Sequence, residues 1–234
     1  MSFVFAPPPQ AVIPVQDERY EFFPVRRVYC IARNYRAPGE APLAAGEKLP
    51  EPIIFMKPAD AVVPVADGET LALAFPPRGE NLRPELELVA CLSKGGANLT
   101  LEEAEAAIWG WCVGIDFARG DLQDESKKHG RPWETAKVFD NCAPVTHVRP
   151  AYRAPMPAPA DVYFYVGNEK RQSGNTSQML RSPAEVIAAL STYFTLEPGD
   201  IVFTGTPAGV APVKRGDRLM GGVNGVGQIK VDLV

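Results

Sequence analysis

Apolar positions in this chain come in short runs separated by proline and glycine, and the period of each run predicts its element. Arg27 to Ala32 (RVYCIA) is apolar almost throughout and predicts a buried strand. Ile53 to Met56, Ala61 to Val65 and Thr70 to Phe75 are shorter runs of the same kind. Glu85 to Ser93 (ELELVACLS) opens with strict alternation, turns apolar and is closed by Lys94-Gly95-Gly96. Gly110 to Asp116 (GWCVGID) is a further apolar strand, followed by a polar, helix-like stretch to about Lys128. Asp161 to Val166, Asp200 to Thr204 and Gln228 to Val234 complete the expected strands. Two helices announce themselves by capping boxes, Thr100 with Glu103 and Ser182 with Glu185, the second with Pro183 at the favoured first position. Ala104, Ala107, Ile108 and Trp111 form the expected apolar stripe of the first, and Val186, Ile187, Leu190, Tyr193 and Phe194 that of the second. About ten strands against three helices predict a mainly β (α+β) fold with a few covering helices.

Three stretches lack a period. Residues 1–25 are rich in proline and read as an N-terminal arm or small lobe, leaving residues 26–234 as one large domain. Residues 33–52 are too long for a plain connection and read as a lid or active-site loop. Residues 145–160 read as a long Pro-rich connection.

Composition narrows the functional classes. A net charge of −4 with no basic run excludes a nucleic-acid patch. No apolar run approaches the roughly 18 residues that span a bilayer, and the N-terminus lacks the basic start of a signal peptide, so a cytoplasmic protein is expected. Cysteines 30, 91, 112 and 142 form neither a CxxC pair nor a zinc-ligand spacing and read as reduced, buried thiols.

The chemistry is carried by carboxylates. In a strand, Glu85 and Glu87 point to one face while Leu86 points to the other. A solvated strand face would account for that pair alone. Asp116, however, ends an apolar strand, where a buried carboxylate is costly unless paired or metal-bound. Three hard oxygen donors suit Mg²⁺ or Mn²⁺, with Ca²⁺ also possible, better than zinc. The open coordination positions would accept the two oxygens of a 2-oxo acid. Lys57, which ends an apolar run, and Lys137 are candidates for a positive wall, and the Gly205-Thr206-Pro207 turn could face an anion.

Together these segments resemble the fumarylacetoacetate hydrolase superfamily. The likeness is carried by CIARNY (30–35), FMKPADAVV (55–63), ELELV (85–89), GIDFARGDLQ (114–123), GRPWETAKVFD (130–140), RQSGNTSQM (171–179) and LEPGDIVFTGTPAGV (196–210). FVFAP (3–7) and FPVRRVYC (23–30) look most like the bacterial fumarylpyruvate hydrolases, with acylpyruvate hydrolases and oxaloacetate decarboxylases also close. The resemblance implies a rolled mixed β-sheet core, a homodimer, and Mg²⁺ or Mn²⁺ on Glu85, Glu87 and Asp116. It further implies Lys137 near the substrate carboxylate or enolate, with Tyr35, Lys57, Gln123 and Thr206 lining the pocket. The implied substrate is a small 2-oxo acid, fumarylpyruvate being split by water into fumarate and pyruvate.

Two departures stand out. Where the family places a water-activating His and Glu after Arg-Asn-Tyr, this chain has Pro38 and Ala41, with Glu40 one residue short. Its only histidines, His129 and His147, lie elsewhere. Where the family carries an Arg four residues after the metal-binding Asp, this chain has Gly120, preceded by Arg119, the substitute candidate for the substrate carboxylate. Three readings follow: an acylpyruvate-type hydrolase with Glu40 or a metal-bound hydroxide as base; a metal-dependent decarboxylase, tautomerase or isomerase; and a non-catalytic binder that keeps the fold.

Overall fold

The computed structural model describes residues 2–40, 48–153 and 159–234. The described strands are β1 (Val12–Pro14), β2 (Phe22–Pro24), β3 (Val28–Ala32), β4 (Ile53–Lys57), β5 (Val62–Val65), β6 (Leu71–Leu73), β7 (Leu82–Leu92), β8 (Ile108–Arg119), β9 (Ala143–Thr146), β10 (Arg149–Pro150), β11 (Asp161–Val166), β12 (Glu169–Asn175), β13 (Ile201–Phe203), β14 (Arg218–Val223) and β15 (Gly227–Leu233). The helices are α1 (Leu101–Ala107), α2 (Gly120–Lys128), α3 (Glu134–Lys137) and α4 (Pro183–Tyr193). The expected mainly β, α+β class is what the chain adopts.

A mixed sheet runs in the order β4-β3-β13-β7-β8-β9-β5, with β10 pairing β8. A second sheet runs β12-β11-β14-β15-β6. The centre of the first is the long antiparallel pair β7–β8, in register with Glu85 opposite Asp116 and Glu87 opposite Gly114. On β7, Leu86, Leu88, Ala90 and Leu92 face an apolar layer shared with Phe164, Ile229 and Val231 of the second sheet and with Val186, Ile187 and Leu190 of α4. The opposite face carries Val89 and Cys91, which pack with Ile13, Phe23 and Val25 of the N-terminal segment. The first 25 residues thus contribute a two-stranded ribbon whose apolar side seals one face of the main sheet.

Both capping boxes form as read. Other boundaries differ. Ile108 and Trp111 belong to β8 rather than to the helix opened at Thr100, because α1 ends after two turns at Ala107. Strand β8 continues past Asp116 to Arg119, so the helix that follows starts only at Gly120. The supposed connection at 145–160 begins with strands β9 and β10, and its residues 154–158 lie outside the described ones. Strands β12 and β14 had no legible period. In β14 the cause is close packing: a Cβ at Gly221 would fall 2.7 Å from Leu86 Cδ1 and Phe164 Cδ2, so the apolar code is replaced by glycine where the sheets touch. Of the expected lid, residues 41–47 lie outside the described ones. The described part holds Arg33 in left-handed backbone (φ 58°) and a bridge from Tyr35 to Met179.

Candidate metal centre

Alternation sets the site. Positions 83, 85 and 87 of β7 share one face, and the register places Asp116 of β8 beside Glu85 on that face. Ligand oxygens of Glu85, Glu87 and Asp116 lie within 4.8 Å of one another. Asp116 and Glu87 are at most 1% exposed, while Glu85 opens onto a cavity. Like charges at that spacing in a buried setting repel unless cations intervene.

Two lysines intervene. Lys137 Nζ lies 2.9 Å from Glu85 Oε1 and 2.7 Å from Asp116 Oδ2. Lys57 Nζ lies 2.9 Å from Asp116 Oδ1 and donates to the carbonyls of Phe117, at 3.0 Å, and Lys137. Burial works against the charged form of both ammoniums, yet the carboxylates beside them hold both above the ordinary lysine value, Asp116 acting on each and Glu85 also on Lys137. Burial likewise works against the Asp116 carboxylate, and Lys137 with Lys57 brings it below its ordinary value. Glu87 has no such partner among the described residues. Its carboxylate accepts one hydrogen bond, from the Gly205 N–H at 2.7 Å, and burial pushes it well above the ordinary carboxylate range. Gly205 can present that N–H because it sits at φ 100°, and a Cβ there would meet Asn34 Cβ at 2.8 Å.

Three carboxylates facing two ammoniums leave Glu87 without a cationic partner in a buried, all-oxygen donor set. That is the chemistry of a hard divalent cation such as Mg²⁺ or Mn²⁺. Glu85, Glu87 and Asp116 therefore fit such an ion.

A cavity of about 570 Å³ opens from Glu85 and Lys137. Tyr35, Gln123 and Thr206 line it. The buried Tyr35 hydroxyl has no partner among the described residues, and burial raises its pKa, so it stays protonated. Thr206 Oγ1 donates to Leu86 O at 2.7 Å and accepts from Gln172 Nε2 at 2.8 Å. Lys57 does not line the cavity: with its ammonium sealed under Asp116, it buttresses the acidic set from behind. Nor does Arg119. Alternation along β8 turns it to the face opposite Asp116, where its guanidinium lies 4.5 Å over the Phe139 ring and donates to Thr135 O. Glu40 is exposed, accepts the Ala37 N–H at 2.8 Å and is absent from the cavity wall, which Pro38 joins. His129 is exposed and paired with Glu125, and neither histidine reaches the cavity.

Several residues escaped the sequence reading. Asn34 bonds Thr204 O and Arg181 O and accepts the Arg181 N–H, stapling the 204–206 turn to the chain after β12. The buried Gln172 amide joins Leu86 N, Thr206 and Pro207 O. Arg33, Arg36, Arg83 and Lys127 give the cavity wall a cationic rim. Only Arg83 had a usable signal, its place two residues before Glu85 on the same strand face.

Comparison with known proteins agrees with this architecture. A solved structure of a Pseudomonas aeruginosa fumarylpyruvate hydrolase, in complex with Mn²⁺ and pyruvate, superposes with a TM-score of 0.92 at 44% identity and covers 100% of this chain and 99% of that one. A Ralstonia fumarylpyruvate hydrolase is 35% identical over 167 residues, 71% of this chain and 85% of that protein. A mitochondrial oxaloacetate tautomerase of Bos taurus is 35% identical over 205 residues, 88% of this chain and 90% of that protein. The family model for the C-terminal part of fumarylacetoacetate (FAA) hydrolase matches residues 27–234, and the chain belongs to the fumarylacetoacetate hydrolase family.

Proposed function

We propose that this protein is a divalent-metal-dependent enzyme that hydrolyses a carbon–carbon bond of an acylpyruvate-type 2-oxo acid, fumarylpyruvate being cleaved to fumarate and pyruvate. The observation that carries the reading is the buried set Glu85, Glu87 and Asp116 at the floor of a cavity. The similarity to a fumarylpyruvate hydrolase that binds Mn²⁺ and pyruvate supports it.

Glu85, Glu87 and Asp116 would hold Mg²⁺ or Mn²⁺, and the ion would supply Lewis-acid polarisation of the ketone. Lys137 fixes the orientation of two of those carboxylates and presents an ammonium to the cavity, where it can stabilise negative charge developing on the substrate. Tyr35 offers a protonated hydroxyl to a substrate oxygen. Gln172 and Asn34 hold the 204–206 turn against β7. Glu40, on the loop beside Pro38, is the carboxylate we assign to taking a proton from water; it would have to leave the Ala37 N–H to do so. The family resemblance extends the proposal to a homodimer, which the mass in solution tests.

A second reading rests on a specific observation. Pro38 stands in the cavity wall, and no histidine does. A lyase or tautomerase needs charge stabilisation but no activated water, and a relative of comparable identity is an oxaloacetate tautomerase. The ultraviolet enol absorbance of fumarylpyruvate, followed with Mn²⁺ and with Glu85→Ala as control, separates the two. Decay with release of free pyruvate, absent in the variant, is the expected result. Absence of pyruvate at high enzyme concentration, with enol–keto conversion of oxaloacetate in the same assay, would replace hydrolysis by tautomerisation.

A further inference from the structure

Arg83 sits two residues before Glu85 on the same face of β7, so its side chain rises beside the acidic set. It does so over Gly120, the first residue of α2. A Cβ at position 120 would fall 2.6 Å from both Cδ and Cζ of Arg83 and would also strike Nε. Gly120 is not in the left-handed region of the backbone, so the absence of a side chain there serves space and not conformation. The guanidinium that fills this space is fixed in place. Its Nε donates to Asn81 Oδ1 at 3.1 Å, and its two terminal nitrogens donate to the two oxygens of Asp124 at 3.0 and 2.6 Å. Those contacts use three of its five N–H groups and leave one on each terminal nitrogen. Arg83 lines the cavity together with Lys127, Arg33 and Arg36, and Glu85 is the one carboxylate in that wall among the described residues. Arg119, the neighbouring arginine, faces away.

Asp124, the partner of Arg83, is not part of the cavity wall, so a 2-oxo acid held at the acidic set through its own carboxylate and ketone would turn its far end toward a wall that carries these four cations. A planar guanidinium held in a fixed orientation, with an N–H still free on the cavity side, suits a second carboxylate. We propose that Arg83, standing in the space vacated at Gly120, is the specificity-determining residue that reads a second carboxylate of the substrate, selecting 2-oxo dicarboxylates over 2-oxo monocarboxylates of equal length. This rests on the metal-chelate reading above.

The test is equilibrium binding, without turnover. Calorimetry of Mn²⁺-loaded protein compares 2-oxoglutarate with 2-oxopentanoate, which differ only in the terminal carboxylate. The wild type is expected to bind 2-oxoglutarate more tightly, and R83A to lose about 10- to 100-fold in affinity for it while binding 2-oxopentanoate within about threefold of wild type. The double variant R83A/G120R, which returns a guanidinium to the same volume from the start of α2, is expected to recover part of the preference. Equal affinities for the two ligands in the wild type, or an R83A loss that is the same for both and is not recovered in the double variant, would make Arg83 a structural strut and overturn the proposal. Failure of the Mn²⁺-loaded wild type to bind either ligand would instead overturn the metal-chelate reading, and this inference with it.

Discussion

One face of β7 and β8 carries two buried patches of opposite character. Toward one end, Val89, Cys91 and Cys112 are fully buried against the N-terminal ribbon and are held by packing alone. A few residues away, Glu87 and Asp116 are equally buried, but against two ammoniums and a single backbone N–H. Strand geometry and depth are the same in both patches. The apolar patch repays its burial through the hydrophobic effect. The acidic patch loses hydration it does not recover, since one of its three carboxyl groups has no cationic partner. A region that costs stability in a fold that otherwise packs apolar groups at the same depth is what a ligand site looks like before its ligand arrives.

The comparison breaks most severely at Lys57. Lys57→Met removes one ammonium from a fully buried pair and leaves Asp116 short of a partner. A loss of about 3–5 kcal/mol in urea unfolding is expected; a loss below about 1 kcal/mol would mean the acidic patch tolerates an unpaired charge and is wetter than it looks. The next effect sharpens the contrast. Mn²⁺ at about 100 times its dissociation constant should stabilise the wild type by about 2.7 kcal/mol. Glu87→Gln should abolish that increment while leaving the metal-free protein as stable as wild type or more so, because the amide keeps the Gly205 contact and removes a buried charge. Val89→Ala, in the apolar patch, should do the reverse: a loss of about 2 kcal/mol with the Mn²⁺ increment intact. Equal responses at 87 and 89 would erase the distinction between the patches.

How much of this was legible in the sequence follows from the same physics. Alternation in ELELV put Glu85 and Glu87 on one face, and the abrupt carboxylate after an apolar run marked Asp116. These are local signals, and the three residues do meet. The fold class was readable from short apolar runs and two capping boxes. Lys57 was placed in the pocket by its position at the end of an apolar run and by the family resemblance. Its partners, the carbonyls of Phe117 and Lys137, come from 60 and 80 residues away, and no local pattern records them. Arg119 was offered for the substrate because it adjoins Gly120. The strand, however, continues through 119, and two-residue alternation turns it away from Asp116. Gln172 and Asn34 act through contacts across 86 and 170 residues, again without a local trace. Strand β14 was missed where glycines replaced the apolar code at a contact between sheets.

The smallest expected effect tests the border between the acidic patch and solvent. Asp124 holds Arg83 in place, and the Arg83 hydrogen bond in turn draws the Asp124 carboxyl below its ordinary value. A depressed carboxylate contributes stability that is present above its unfolded pKa and is lost as the pH falls through the folded one, so the acid limb of a stability–pH curve carries the signature. The Asp124 side chain is 53% exposed, so solvent screens most of the pair, and at neutral pH Asp124→Asn should cost at most about 1 kcal/mol. Its stability should fall less steeply than that of wild type below about pH 4, the ordinary carboxylate value. The variant keeps the Arg83 charge but loosens its orientation. Retained stability with a weakened preference for 2-oxoglutarate would therefore separate what the Arg83–Asp124 pair does for the ligand from what it does for the fold. An unchanged acid limb together with an unchanged preference would show that the pair does neither, and that Arg83 is oriented by Asn81 and the space over Gly120 alone.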